Sequence, residues 1–272
     1  MPMTKQLMIE NLKNDILNIV EKSVVRLGHN QKKSVNTVIE NLDKGTLSVV
    51  SKDENDCWKV NEWIKQAILL YFKTQSSTQI SNGFDKIPLK TMLWKETDFK
   101  ESGFRLVPHS TVRFGAYIAP DVIVMPSFIN IGARIEKGTM VDSGTTVGSC
   151  AYIGKNVHLS SNVMIGGVLE PLQALPVIIE DHCFIGAGST IAEGIIVEKG
   201  SVIASGVHLT GSTKIIDRAT GLVMFGKIPA YSVVVPGSYP TKNGLFLSCA
   251  VIVKKVDEQT REKTKINDLL RD

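Results

Sequence analysis

Between residues 123 and 215 an aliphatic side chain returns at every sixth position. Ile123, Ile129, Ile135, Val141, Val147, Ile153, Leu159 and Ile165 form one unbroken run, and Ile179, Ile185, Ile191, Val197, Ile203, Leu209 and Ile215 form a second. Hydrophobic residues make up 43% of the chain, so fifteen aliphatics in two such runs are far from chance. A period of six is neither the 3.6 of a helix nor the plain alternation of a half-buried strand. It fits a β-solenoid in which each hexad is one short strand and one corner, with three hexads to a coil. Four places past the aliphatics stand Ser127, Ala133, Thr139, Thr145, Ala151, Val157 and Val163, all small or β-branched, as a crowded corner requires. Stacked at about 4.8 Å, some six coils make a prism roughly 30 Å long.

The two runs do not join in register. Fourteen residues separate Ile165 from Ile179, so the segment 166–177 (GGVLEPLQALPV) holds an insertion, with two prolines that cannot donate to a ladder. A second excursion covers 217–227. Loops thrown out of a strict repeat usually carry function, although they also cap edges.

The first hundred residues have a different texture. Ile9, Leu12, Ile16, Ile19 and Val20 recur at helical spacing, 34–45 repeats the pattern and ends on Gly45, and 60–73 places Trp63, Ala67 and Leu70 on one face. The polar stretch 74–83 reads as a loop. The predicted organisation is mainly β: a mostly α-helical domain over 1–102, a β-helix over 103–238 and a strand followed by a helix over 239–272.

Composition narrows the function. The 272 residues carry 31 Lys+Arg against 27 Asp+Glu, a net charge of +4 without a basic run or basic–aromatic interleaving, so nucleic acid is not an expected partner. A mild positive excess suits small anionic substrates. No apolar stretch is long enough to span a membrane. The opening MPMTKQLMIENLKND resembles neither a signal nor a transit peptide. Cys57, Cys150, Cys183 and Cys249 lack metal-like spacing and read as free thiols, which points to the cytoplasm. The five histidines lack the close pair and third ligand of a solenoid zinc site, so no metal is expected.

Several segments carry a closer resemblance. GFRLVPHSTVRFGAYIAPDVIVMPSFINIGA (103–133), GSCAYIGKNVHLS with GGVLEPLQ inside 139–202, KIPAYSVVVPGSYPTKNGLFLSCAVIVKK within 227–261 and CWKVNEWIKQAILLYF (57–72) resemble the tetrahydrodipicolinate N-succinyltransferases. The resemblance covers nearly the whole chain. It implies a left-handed parallel β-helix of hexapeptide repeats. It also implies transfer of a succinyl group from succinyl-CoA to the nitrogen of tetrahydrodipicolinate, in bacterial diaminopimelate and lysine synthesis. The expected assembly is a homotrimer with intersubunit sites.

Carried over residue by residue, the resemblance makes Arg105 and Asp142 substrate-binding and Asp142 and Glu193 the catalytic carboxylates. An arginine can hold an acceptor carboxylate bidentately, and a positioned carboxylate can orient or accept the proton the nitrogen sheds. By the same resemblance Ala204, Ser205 and Gly206 contact pantetheine, while Lys227 and Lys254 meet coenzyme A phosphates. By pattern alone each of these is a corner or surface residue. Two positions depart from the family: Gly144 stands where a tryptophan is usual and Gly188 where an arginine is usual. They keep two other readings open, an acyl-CoA transferase with another acceptor and a non-catalytic solenoid that only binds. The repeat adds a geometric expectation. Val141 and Ile191 are seven or eight hexads apart, neither a multiple of three, so Asp142 and Glu193 lie on different edges and converge only between chains.

Overall fold

In the computed structural model, which describes residues 5–22, 26–80 and 83–258, three hexads close each coil of a three-sided parallel β-helix. The first face stacks Arg105–Leu106, Ile123–Val124, Met140–Val141, His158–Leu159, Phe184–Ile185 and Val202–Ile203 in parallel register. The second face runs from Thr111–Val112 to His208–Leu209, and the third from Tyr117–Ile118 to Lys227–Ile228, each with six strands. On nearly every rung the first residue of the strand faces out and the second is buried inside the prism. The small residues before the strands are buried too. The Thr139 and Thr145 hydroxyls donate to the carbonyls of Gly154 and Ser160 one coil on, satisfying polar groups that the prism encloses.

The repeat has one more phase than its spacing suggested. The interior residue of the strand Ile123–Val124 is Val124, not Ile123. Leu106, Val112, Ile118 and Val124 keep their own six-residue register, and a five-residue step across Met125-Pro126-Ser127 leads to Ile129. Ile123 satisfied the count because an outward aliphatic happens to precede the inward one.

Helices α1 (Lys5–Glu21), α2 (His29–Asp43) and α3 (Glu62–Thr74) form a unit that docks on the third face and the corner leading into it. Ile16, Val35, Ile39, Ile64 and Ile68 share one apolar cluster with Ile131 and Cys150 of the coils. Leu12, Ile16 and Ile19 bury the stripe of α1, whereas Val20 is exposed. Gly45, with φ of +73°, takes the left-handed conformation just past α2, and the Tyr117 ring packs where its side chain would begin. The buried Lys90 ammonium fastens the unit to the first coil, 2.8 Å from an Asp43 carboxylate that also accepts the Gly115 N–H.

Three small elements escaped the sequence reading. Val50–Lys52 pairs antiparallel with Trp58–Val60, and α4 covers Glu96–Ser102. Thr78–Ile80, inside the 74–83 stretch expected to be loop, pairs with Gly83–Asp85 at its end. Three-residue strands are too short to display a period. At the other end, the 217–227 excursion begins on a hairpin between Ile215–Asp217 and Val223–Met224. The strand Phe246–Lys255 runs between this hairpin and Ser232–Pro240, extending the first face into a ten-stranded sheet. The helix expected after it lies outside the described residues. No described helix is long and apolar enough to cross a membrane.

Candidate active site

Most corners of the prism turn on a residue with positive φ, and the candidate carboxylates sit at two such corners. Asp142 follows Val141 where the chain leaves the first face for the second. Its Oδ1 accepts the backbone N–H of Ser143 at 2.7 Å and its Oδ2 accepts the Ser161 hydroxyl at 3.0 Å. Both oxygens are therefore aimed by donors, one from its own turn and one from the next coil. His158 stands beside Met140 in the next strand. Burial pushes its imidazole below the ordinary histidine range, and the charge of Asp142 opposes that shift in part.

Gly144 completes the same turn with φ of +75°, and the Asn162 side-chain amide occupies the space where a Gly144 side chain would begin. Gly188, two coils further at the same corner, has φ of +68° and open space around it. The two glycines are thus physically unlike.

Glu193 lies where the second face passes into the third. At the earlier turns of this corner only Gly115, Gly132 and Cys150 have positive φ, the signature of a type II turn. At Ala192–Ile195 both Glu193 (54°) and Gly194 (72°) are left-handed, which makes a type I′ turn. The 166–177 insertion occupies the corner immediately below and removes the turn on which this one would stack. Glu193 is exposed, and its Oε2 accepts the Gly211 N–H at 3.0 Å.

Strand order gives the relation between the two carboxylates. The insertion counts as a single hexad, because Met164–Ile165 and Ile178–Ile179 occupy successive faces. Val141 and Ile191 are then seven hexads apart, and Asp142 and Glu193 flank the two edges of the second face, two coils or about 10 Å apart along the axis. The outward row of that face includes Met164, 41% exposed, and exposed His208.

Arg105 stands on the first face, exposed, in the row that continues through Ile123 to Met140 and so toward the Asp142 edge. Ala204, Ser205 and Gly206 occupy the Asp142 edge higher up, with Ser205 and Gly206 exposed. Lys254 shares their sheet, opposite Val233, which is opposite Val202. Lys227 does not join them. It lies on the third face, its ammonium 2.9 Å from Glu198, in a cavity of about 480 Å³ that also holds Lys52, Trp58 and Glu180. A cavity of about 550 Å³ near Phe84, Asp85 and His109 likewise includes neither carboxylate.

Ser161 was missed by sequence reasoning. The signal available was the 18-residue coil, which stacks Ser161 on Ser143 and so beside Asp142.

Comparison with known proteins adds the following. Residues 10–74 match the family described as tetrahydrodipicolinate N-succinyltransferase N-terminal, and 176–211 match the hexapeptide repeat of succinyl-transferase. A 2,3,4,5-tetrahydropyridine-2,6-dicarboxylate N-succinyltransferase of Bartonella bacilliformis is 53% identical over 271 residues, covering 95% of this chain and 94% of its own. Enzymes of the same name from Cupriavidus metallidurans and Wolbachia pipientis are 56% and 57% identical, over 89% and 88% of this chain and 90% and 89% of theirs.

Proposed function

The chain belongs to the tetrahydrodipicolinate N-succinyltransferase family, and from that premise we propose that Asp142 of one subunit and Glu193 of another form its active site within a homotrimer. The fold is the left-handed parallel β-helix of hexapeptide-repeat transferases with an N-terminal helical region, and the activity is an N-acyl transfer. The donor is succinyl-CoA and the acceptor the nitrogen of hydrated tetrahydrodipicolinate, a step toward diaminopimelate and lysine.

The acceptor nitrogen attacks the thioester carbonyl, a tetrahedral oxyanion forms, and its collapse expels the coenzyme A thiolate. The nitrogen must shed a proton during this sequence. Asp142, with both oxygens aimed by donors, orients the nitrogen. Glu193, which accepts one hydrogen bond among the described residues and is exposed, takes the proton. Such general-base help is typically about 10²–10⁴-fold. Arg105 holds an acceptor carboxylate bidentately. The pantetheine arm lies along Ala204–Gly206 with Lys254 toward the phosphates, while Lys227, already paired with Glu198 on another face, takes no part.

The position of the two carboxylates on opposite edges of one face carries the intersubunit reading. One chain cannot close them on a single acceptor, whereas the edges of two neighbouring chains can meet along a groove. Exposed Met164, Leu222 and Phe225 supply apolar surface of the kind an assembly covers. Complementation tests this directly. Asp142→Asn and Glu193→Gln are each expected to be nearly inactive as homotrimers. Mixed trimers made by co-expression should regain about a quarter of wild-type activity, since about half the chains supply each intact edge. No recovery in mixed trimers that purify as such would place each site within one chain.

A further inference from the structure

Lys65, on α3, is 0% exposed, one of the largest fully buried side chains in the protein, and no salt bridge neutralises it among the described residues. A bare ammonium in such a place is unfavourable unless its donors are used. Its Nζ donates to the Ala174 carbonyl at 2.6 Å and to the Pro171 carbonyl at 3.5 Å, more than a hundred residues along the chain. Both acceptors belong to the 166–177 insertion, a segment whose two prolines cannot donate to a ladder. Leu169 of the same loop packs against the helical unit, and the Val168 N–H donates to the Ser149 carbonyl at 3.1 Å. The loop is therefore gripped from below by the helical unit and the preceding corner.

From above it meets the candidate site. The Leu175 carbonyl oxygen lies against Gly194, where a Cβ would collide with it. The loop thus occupies the place of the missing turn and abuts the one turn at this edge that has two left-handed residues, Glu193 and Gly194. A non-glycine residue is held in that region only where its surroundings over-determine it.

We propose that Lys65 is a positioning residue for the transfer reaction: it anchors the 166–177 loop through Pro171 and Ala174, and the loop holds the turn that presents Glu193. The inference rests on the catalytic reading of Glu193 above, so its test separates the two. Steady-state kcat and KM are measured on the full-length oligomer for wild type, Lys65→Met, Glu193→Gln and the double variant.

Lys65→Met is expected to lower kcat about tenfold or more while KM for both substrates changes by no more than about twofold, because misplacing a catalytic group acts on the chemical step. In the Glu193→Gln background the same change should lower kcat no further, the mark of two residues acting through one element. Wild-type kcat in Lys65→Met beside a crippled Glu193→Gln would refute the positioning role and leave Glu193 in place. An equal fall in both backgrounds would also refute it, since Lys65 would then support the fold alone. Full activity in Glu193→Gln would overturn the catalytic reading and this inference together. Lys65→Gln keeps an N–H donor and runs through the same cycle, so the test survives a Met variant that folds poorly. It is expected to retain more kcat than Lys65→Met and to show the same non-additivity.

Discussion

The side-chain amide of Asn162 fills the space above Gly144, so one coil completes the turn that the coil before it leaves open. Both residues have positive φ, 59° and 75°, and the Asn162 N–H donates to the Ser143 carbonyl between them at 2.9 Å. Placing a tryptophan at this corner is therefore a two-residue problem. Gly144→Trp is expected to destabilise the protein by at least about 1–2 kcal/mol from the left-handed backbone alone, with the displaced Asn162 adding to it. The double variant Gly144→Trp/Asn162→Gly should recover part of the loss. Thermal unfolding checks both, and a single variant as stable as wild type would show that Asn162 yields freely.

Gly188 should behave differently. Nothing lies within reach of a side chain there, so Gly188→Arg bears only the backbone penalty, again on the order of 1–2 kcal/mol. A far larger loss of stability would mean that the edge is more crowded than its open surroundings indicate.

The Ser161 hydroxyl donates to Asp142 in the proposed site. A hydrogen bond to a charged group contributes about 1.5–3 kcal/mol. Ser161→Ala should therefore lower kcat/KM by roughly tenfold or more, while Ser161→Thr, which keeps the hydroxyl, stays near wild type. The result to look for is the contrast. Equal activity in the two variants would remove Ser161 from the site.

His158 provides a pH-dependent readout of Asp142. Its imidazole is depressed chiefly by burial and partly restored by the Asp142 charge, so its NMR titration should fall below the ordinary midpoint of about 6.5. In Asp142→Asn it should fall further. The unfolded chain binds the His158 proton first as pH drops. This group therefore makes stability decline from about pH 6.5 down to its folded midpoint and no further below it. A midpoint that rises in Asp142→Asn would contradict the assigned neighbourhood.

Much of this architecture is legible in the chain. The interior slots of the coils follow the six-residue count, as do the buried small corners and the break at 166–177. The helices α1 and α3 follow from apolar stripes, although Val20 turned out to face solvent. The early phase, with Val124 rather than Ile123 inside, was hidden because both residues are aliphatic and period alone cannot tell inward from outward. The short hairpins were hidden for a related reason: three residues do not make a pattern. Asp142 and Glu193 entered through resemblance, since by spacing each is an ordinary corner residue.

A triangular prism admits one aliphatic per strand, and successive strands follow one another along the chain. The hexad count therefore determined the solenoid, its approximate length and the insertion. It also determined that Asp142 and Glu193 lie on different edges. Only the tertiary structure decided that the Glu193 turn is inverted and that Lys65 grips a loop 109 residues away at Ala174. Those contacts depend on how coils stack across an insertion and how a separate helical unit docks on them, and no local spacing encodes either.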